Sequence, residues 1–239
     1  MEITHVVRGQ EYLSSSPKYN RLYEAFGWEV PVYVHCPTIT NEQHQKLSKR
    51  SGHASFEDLI EQGFVSEAVV NFVALLGWSP EGDREIFSLE ELAKVFDYSR
   101  ISKSPAVFDM TKLRWMNGEY FKAMTDAAFA EAARPYAGEL PASVEAQWDA
   151  MARLLRTRVT RLSDVRAEIE FFVNLPPFDA SLYENKRNKV TPAAAAELLP
   201  ELIGILDALD GDHWENDLLY ALLEECIERE GWKKGTVMW

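Results

Sequence analysis

The chain of 239 residues is 46% hydrophobic with a formal net charge of −13, long enough to bury one large core or two to three small ones. That acidic balance excludes a general polyanion binder, because nonspecific nucleic-acid affinity needs surplus Lys and Arg to displace counterions, so any phosphate binding has to be local. No apolar run approaches the roughly 18 to 20 residues of a membrane-spanning helix, the N-terminus lacks a signal-peptide layout, and Cys36 and Cys226 are isolated thiols, so a reducing, cytoplasmic setting without a membrane partner is expected.

Ile3, Val6 and Val7 form a short β-like run, followed by a helix start in which Ser16 caps and Pro17 takes the first helical position. The helix spans 17 to 26 and is closed by Gly27. A second strand is predicted at 30 to 35 (VPVYVH), and a polar loop leads from it to KLSKR at 46 to 50. Capped helical stretches then replace strands. Ser55 pairs with Asp58, Ser66 precedes EAVVNFVALL, Ser88 and Glu91 make a capping box, and Asp109 opens DMTKLRWMN, while Gly63 and Gly77 fall where helices should end. Residues 143 to 157, 163 to 174, 192 to 209 and 214 to 230 carry helical periodicity, with Thr191 and Pro192 as cap and first-turn proline. The predicted fold is mainly α with a short α/β beginning.

KLSKR concentrates Lys46, Lys49 and Arg50 around Ser48 in a strongly acidic chain. Two ammonium groups, a guanidinium and a hydroxyl suit a polyphosphate, whose oxygens they neutralise and orient; a solvated basic turn is the other reading of the same residues. Arg8 follows the first predicted strand at its C-terminal end, where open α/β sheets place ligand-binding side chains. Its alternative is a surface arginine paired with Glu11. Arg153, Arg156, Arg158, Arg161 and Arg166 form another basic cluster, readable either as an RNA contact or as a solvated helix face balanced by Glu168 and Glu170. Trp115 and Asn117 read as packing and turn residues, and His44 and His53 lack the partners of a metal site, so no metal ligand is assigned.

The stretches ITHVVRGQEYLSSSPKYNRLYEAFGW, KLSKRSGHASFEDLIEQGF, EAVVNFVALLGWSPEGDREIFSLEEL and ISKSPAVFDMTKLRWMNGEYF occur in that order, and together they resemble bacterial glutamyl-tRNA synthetases, densely over residues 2 to 125 and more loosely beyond. KLSKR is similar to the lysine-rich signature loop of class I aminoacyl-tRNA synthetases. The resemblance implies the second half of a Rossmann-like catalytic domain at 1–54, a stem-contact helical domain at 55–125 and a helical anticodon-binding domain at 126–239. It also implies ATP with Mg2+ as cofactor, L-glutamate and tRNA(Glu) as partners, a monomer, and no zinc. No HIGH-type motif, the family's other signature, occurs in this sequence, so the expectation is an internal piece of such an enzyme, inactive in isolation because half a nucleotide site cannot align its reactants. A stand-alone, non-catalytic tRNA-binding module is the alternative.

By this resemblance Arg8 matches the arginine that reads the glutamate side-chain carboxylate, a role suited to a bidentate guanidinium. Glu11 and Tyr12 match positions lining the ATP and amino-acid pocket, although the family often has tryptophan where Tyr12 stands. Lys46, Ser48, Lys49 and Arg50 match the catalytic signature loop, with Lys49 as the foremost phosphate contact. Arg158, with Arg156 and Arg161 beside it, lies where similar enzymes meet the anticodon. The implied reaction joins glutamate to the α-phosphate of ATP, giving glutamyl-adenylate and pyrophosphate, and then passes the acyl group to the terminal ribose of the tRNA.

Overall fold

A computed structural model describes residues 2–47, 55–174, 177, 179–209 and 214–238. The chain forms two compact units, Met1–Leu175 and Pro176–Trp239.

The first unit begins with β1 (His5–Gly9), one 3-10 segment (Gln10–Ser15) and α1 (Ser16–Phe26). Then β2 (Val32–Cys36) returns parallel to β1 in the register His5 to Val32, Arg8 to His35 and Gly9 to Cys36. The connection between parallel strands must climb back along the sheet, and the 3-10 segment with α1 makes that crossover. Gly27 ends α1 at φ 67°, a left-handed conformation that glycine adopts without steric cost. Pro17 sits in the first turn as predicted, but Ser16 is not the cap. Ser15 holds the N-cap position without a side-chain bond, because the Ser16 hydroxyl is drawn into a tertiary contact with Arg8.

Beyond β2, β3 (Ile39–Thr40) pairs in parallel with β4 (Ala106–Val107), a partner more than sixty residues away in sequence. The helical body follows: α2 (Phe56–Glu61), α3 (Ser66–Gly77), α4 (Leu89–Val95), α5 (Met110–Ala123), α6 (Asp126–Ala137), α7 (Ala142–Glu145), α8 (Trp148–Leu155) and α9 (Val165–Val173). The capping boxes Ser55/Asp58 and Ser88/Glu91 form in full, and Asp109 accepts from Lys112 N at 3.0 Å. Ser66 is the exception. Val65 is the N-cap of α3, without a side-chain cap bond; its own N–H is taken at 2.9 Å by the Asn117 side chain, and the Ser66 hydroxyl donates to Glu67 Oε2 at 2.9 Å.

The predicted helix over 143 to 157 is broken into α7 and α8, with Gln147 off helical geometry at φ −110°, ψ 12°. The break turns Trp148 inward, where its ring is buried and its Nε1–H donates to Ala130 O at 3.1 Å. Burying an indole whose N–H is satisfied outweighs the continuity of one exposed helix turn.

Two large apolar clusters hold this unit together. Phe64, Val69, Phe72, Leu113 and Met116 pack α2, α3 and α5, while Phe121, Phe129, Ala133, Ala152, Val165 and Ile169 join α5, α6, α8 and α9. Phe121 meets Phe129 edge-on at 5.2 Å and 72°, and each such fully buried ring contributes about 1.5–3 kcal/mol. Asn117, buried with no exposure, accepts from Val65 N and donates to Thr160 O at 2.7 Å, stitching α5 to both neighbours. It is thus a packing residue, whereas Trp115, two residues before it, is 45% exposed.

The second unit contains α10 (Pro192–Asp207), α11 (Asn216–Glu230) and α12 (Lys234–Val237). Thr191 caps α10 through Ala194 N at 3.3 Å, with Pro192 in the first turn as predicted, and Val190, Ala195, Cys226 and Ile227 are buried. Cys36 and Cys226 are both free thiols. Among the described residues no helix is long and apolar enough to cross a membrane.

Candidate functional site

The parallel pairing of β1 and β2 builds the first site. Arg8 lies beside His35 in register, and Tyr33 shares the face of His35 because residues two apart on a strand point the same way. Ser16 and Tyr19, three apart on α1, face the same place. The Arg8 guanidinium donates through Nη2 to Ser16 Oγ at 2.7 Å and through Nε to His35 Nε2 at 3.3 Å. Its carbon lies 4.5 Å from the ring centre of Tyr33, 5.2 Å from that of Tyr19 and 5.5 Å from that of Tyr12.

Arg8 does not pair with Glu11. None of the ion pairs among the described residues involves Arg8. Glu11 instead folds over Gly9, so closely that a Cβ on Gly9 would meet Glu11 Oε2 at 2.2 Å. A half-buried guanidinium, ringed by aromatic faces and bonded among the described residues only to neutral acceptors, has the chemistry to receive a small carboxylate or phosphate. Tyr12 belongs to this ring while remaining 46% exposed.

Beside it, a cavity of about 630 Å³ opens between Gly9, Glu11, Thr38 and Lys46 on one rim and Val69, Val73, Leu76 and Phe108 on the other. Lys46 is held there by its backbone. It bridges to Thr40, and Leu47 N donates to Ile39 O at 3.2 Å. The preceding turn is closed by Asn41, whose side-chain oxygen accepts from Gln45 N at 2.8 Å, with His44 in the left-handed region at φ 59°. The stem of the basic loop therefore stands on the same cavity as Glu11. Ser48, Lys49, Arg50 and His53 lie outside the described residues.

The arginines of the second cluster divide by what they touch. Arg156 donates through Nη1 to Lys122 O at 2.5 Å and Met124 O at 2.9 Å, and pairs with Asp126 at 3.1 Å. Arg161 is held by Asp164 at 2.5 Å, and Arg166 by Glu170 at 2.8 Å and the carbonyls of Ala137 and Glu139. The Glu170 carboxyl is held below its ordinary range by the Asn174 hydrogen bond, with Arg166 adding to the effect. These three arginines clamp the fold. Arg153 and Arg158 are exposed, and among the described residues neither enters an ion pair, so the outward positive charge of the cluster rests on them.

Sequence reasoning missed Ser16, Tyr19, Tyr33 and His35 as the surround of Arg8. The alternation of Tyr33 and His35 was readable, but their meeting with Arg8 depends on the register of two strands separated by a helix. Among the described residues no group of three or more His, Cys, Asp or Glu is arranged to hold a metal ion.

Comparisons with known proteins show what the chain is similar to. The model of the catalytic domain of class I tRNA synthetases (E and Q) matches residues 1–115, and an anticodon binding domain model matches residues 128–239. The glutamate–tRNA ligase of Lachnoclostridium phytofermentans is 52% identical over 241 residues, covering 100% of this chain and 48% of that protein. That of Clostridium acetobutylicum is 47% identical over 239 residues, covering 100% and 49%. The crystal structure of a glutamate tRNA ligase from Elizabethkingia meningosepticum, in complex with its amino acid, superposes with a TM-score of 0.77 at 29% identity, covering 100% of this chain and 50% of the other. The chain spans about half the length of these relatives. Matched end to end by glutamate–tRNA ligases and built from the two modules they share, it belongs to the glutamate–tRNA ligase family of class I tRNA synthetases.

Proposed function

We propose that this chain supplies the amino-acid receptor, the ATP signature loop and the tRNA-binding body of a glutamate–tRNA ligase. The observation that carries the reading is Arg8: a cation without a carboxylate partner among the described residues, in a polar and aromatic cage beside the cavity where the KLSKR stem begins. In this reading Arg8 takes the side-chain carboxylate of L-glutamate, with Tyr12 and Glu11 lining the pocket. Lys46, Ser48, Lys49 and Arg50 take the phosphates of ATP, which enters with Mg2+. Positive groups fixed where charge develops on the α-phosphate supply most of the catalysis, and alignment of carboxylate and phosphate supplies the rest.

Residues 1–54 belong to the nucleotide site, 55–125 reach the tRNA stem, and 126–239 reach the anticodon of tRNA(Glu). RNA of this kind is recognised by shape and unpaired bases. Of the arginines assigned to it, Arg158 makes the outward contact, while Arg156 and Arg161 support the surface from which it projects.

The test combines glutamate-dependent ATP–pyrophosphate exchange with tRNA(Glu) binding across a salt series. The 239-residue chain alone is expected to give no exchange. It is expected to bind tRNA(Glu) with an affinity that falls with salt, and Arg158→Ala is expected to lower the slope of log K against log salt by about 1. Exchange above a Lys49→Ala control, or binding indifferent to Arg158→Ala, refutes the corresponding half of the reading. Arg153 and Arg158, exposed and without an ion pair among the described residues, favour a second reading, a tRNA-binding module without catalysis. Glutamate binding lost on Arg8→Ala counts against it.

A further inference from the structure

The Arg8 cage fixes the protonation of a neighbouring ring. Arg8 is a pure donor, so His35 Nε2, 3.3 Å from Arg8 Nε, must present a lone pair. Ser16 Oγ accepts from Arg8 Nη2 at 2.7 Å, and its single proton is directed to Tyr12 O at 3.2 Å. The same hydroxyl lies 3.5 Å from His35 Nε2, a longer contact than the one to Tyr12 O, so among the described residues Arg8 Nε is the nearest donor to that nitrogen. One arrangement satisfies these contacts between Arg8, Ser16 and His35. Arg8 donates twice, Ser16 relays to the Tyr12 carbonyl, and the imidazole is neutral with its proton on Nδ1.

We propose that His35 is the positioning residue of this site: a neutral, Nδ1-protonated imidazole whose Nε2 holds Arg8 Nε, so that the remaining guanidinium N–H bonds stay aimed at a carboxylate. The inference rests on the reading of Arg8 as a carboxylate receptor. A guanidinium swinging on a flexible stem loses rotamer freedom when it captures an anion, and tethering two of its donors beforehand removes that cost. His35 is well placed for this role because the parallel register sets it directly beside Arg8 on the next strand. A proton on Nε2 would set donor against donor, and a doubly protonated ring would also place a second positive charge next to the first, turning the fork away.

The experiment uses the 15N-labelled chain. Long-range 1H–15N correlation spectra of the imidazoles at neutral pH are expected to show Nδ1 protonated and Nε2 unprotonated for His35, with the preference lost in Arg8→Met. An Nε2-protonated or doubly protonated ring in the parent chain, or a tautomer ratio unmoved by Arg8→Met, overturns the proposal. In a parallel arm L-glutamate is titrated into the variants. His35→Leu is expected to weaken binding at least about tenfold, and His35→Gln, whose amide oxygen reaches close to the place of Nε2, to recover most of it; equal losses in both also overturn the proposal. If the parent chain binds no L-glutamate while the tautomer is as expected, the tether between His35 and Arg8 stands, and it is the carboxylate reading of Arg8 that fails.

Discussion

Replacing Arg156 by alanine separates a clamp from a contact. Arg156 sits at the junction of α5 and α6. Its Nη1 satisfies Lys122 O, one of the carbonyls that the end of α5 leaves without a helical partner, and also Met124 O beyond it. Its Nε side meets Asp126 in the first turn of α6. Hydrogen bonds from a charged donor contribute about 1.5–3 kcal/mol each, and at 22% side-chain exposure the lower end applies. The ion pair adds at most about 1 kcal/mol, because Asp126 is 51% exposed. The sum is about 3–4 kcal/mol. Urea unfolding followed by circular dichroism, with separate transitions fitted for the two units, measures it. Arg156→Lys, which keeps the charge but not the planar fork, should recover less than half. By the same reasoning Arg158→Ala, at an exposed and unpaired position, should stay within about 0.5 kcal/mol of the parent while weakening tRNA(Glu) binding. A loss below about 1 kcal/mol for Arg156→Ala, or a loss for Arg158→Ala as large, refutes the division of the cluster.

Asn117→Asp should destabilise more than Asn117→Ala, since both lose the donor to Thr160 O but the carboxylate also faces that carbonyl at close range; thermal melts of the two variants give the order, and the reverse order counts against it. Gly63→Ala should cost several kcal/mol, about 3 or more, because the residue sits at φ 86° and a Cβ would lie 2.5 Å from Ser163 N; soluble expression and melting temperature report it. Tyr120, hydrogen-bonded at 2.7 Å to Phe87 O, has its phenol pushed up to about 12 by burial, with Glu67 and Glu91 adding to the shift. A raised folded value means that its contribution is complete below the unfolded value near 10 and is lost as pH rises toward 12, so Tyr120→Phe should flatten the fall in stability across that alkaline window.

Local chemistry in the sequence accounts for much of the outcome. Ser55/Asp58, Ser88/Glu91, Asp109, Thr191 with Pro192, and Gly27 each act within a few residues of themselves, and each stands where the pattern put it. The strand alternation at VPVYVH and the basic turn were visible for the same reason, because side-chain direction and charge density are properties of a short stretch. Where the reading went astray, a distant residue had intervened. Asn117 replaced Ser66 as the partner of the α3 terminus, Trp148 broke a continuous periodic run to reach Ala130, and Arg8 claimed the hydroxyl expected to cap α1.

The arginine cluster makes the same point for function. Its five side chains are equivalent as letters, yet Arg156 and Arg166 are held by carbonyls far away in the chain, Arg161 and Arg166 by carboxylates one turn along it, and two are left to face outward. By itself the sequence determined which segments are helix or strand and that cationic groups gather in two places. Pairs one turn apart, such as Arg161 with Asp164, are local, but tertiary structure decided that Arg156 is spent, because a charge is spent or available according to what packs within about 4 Å of it, and for Arg156 that is set by residues far away in the chain.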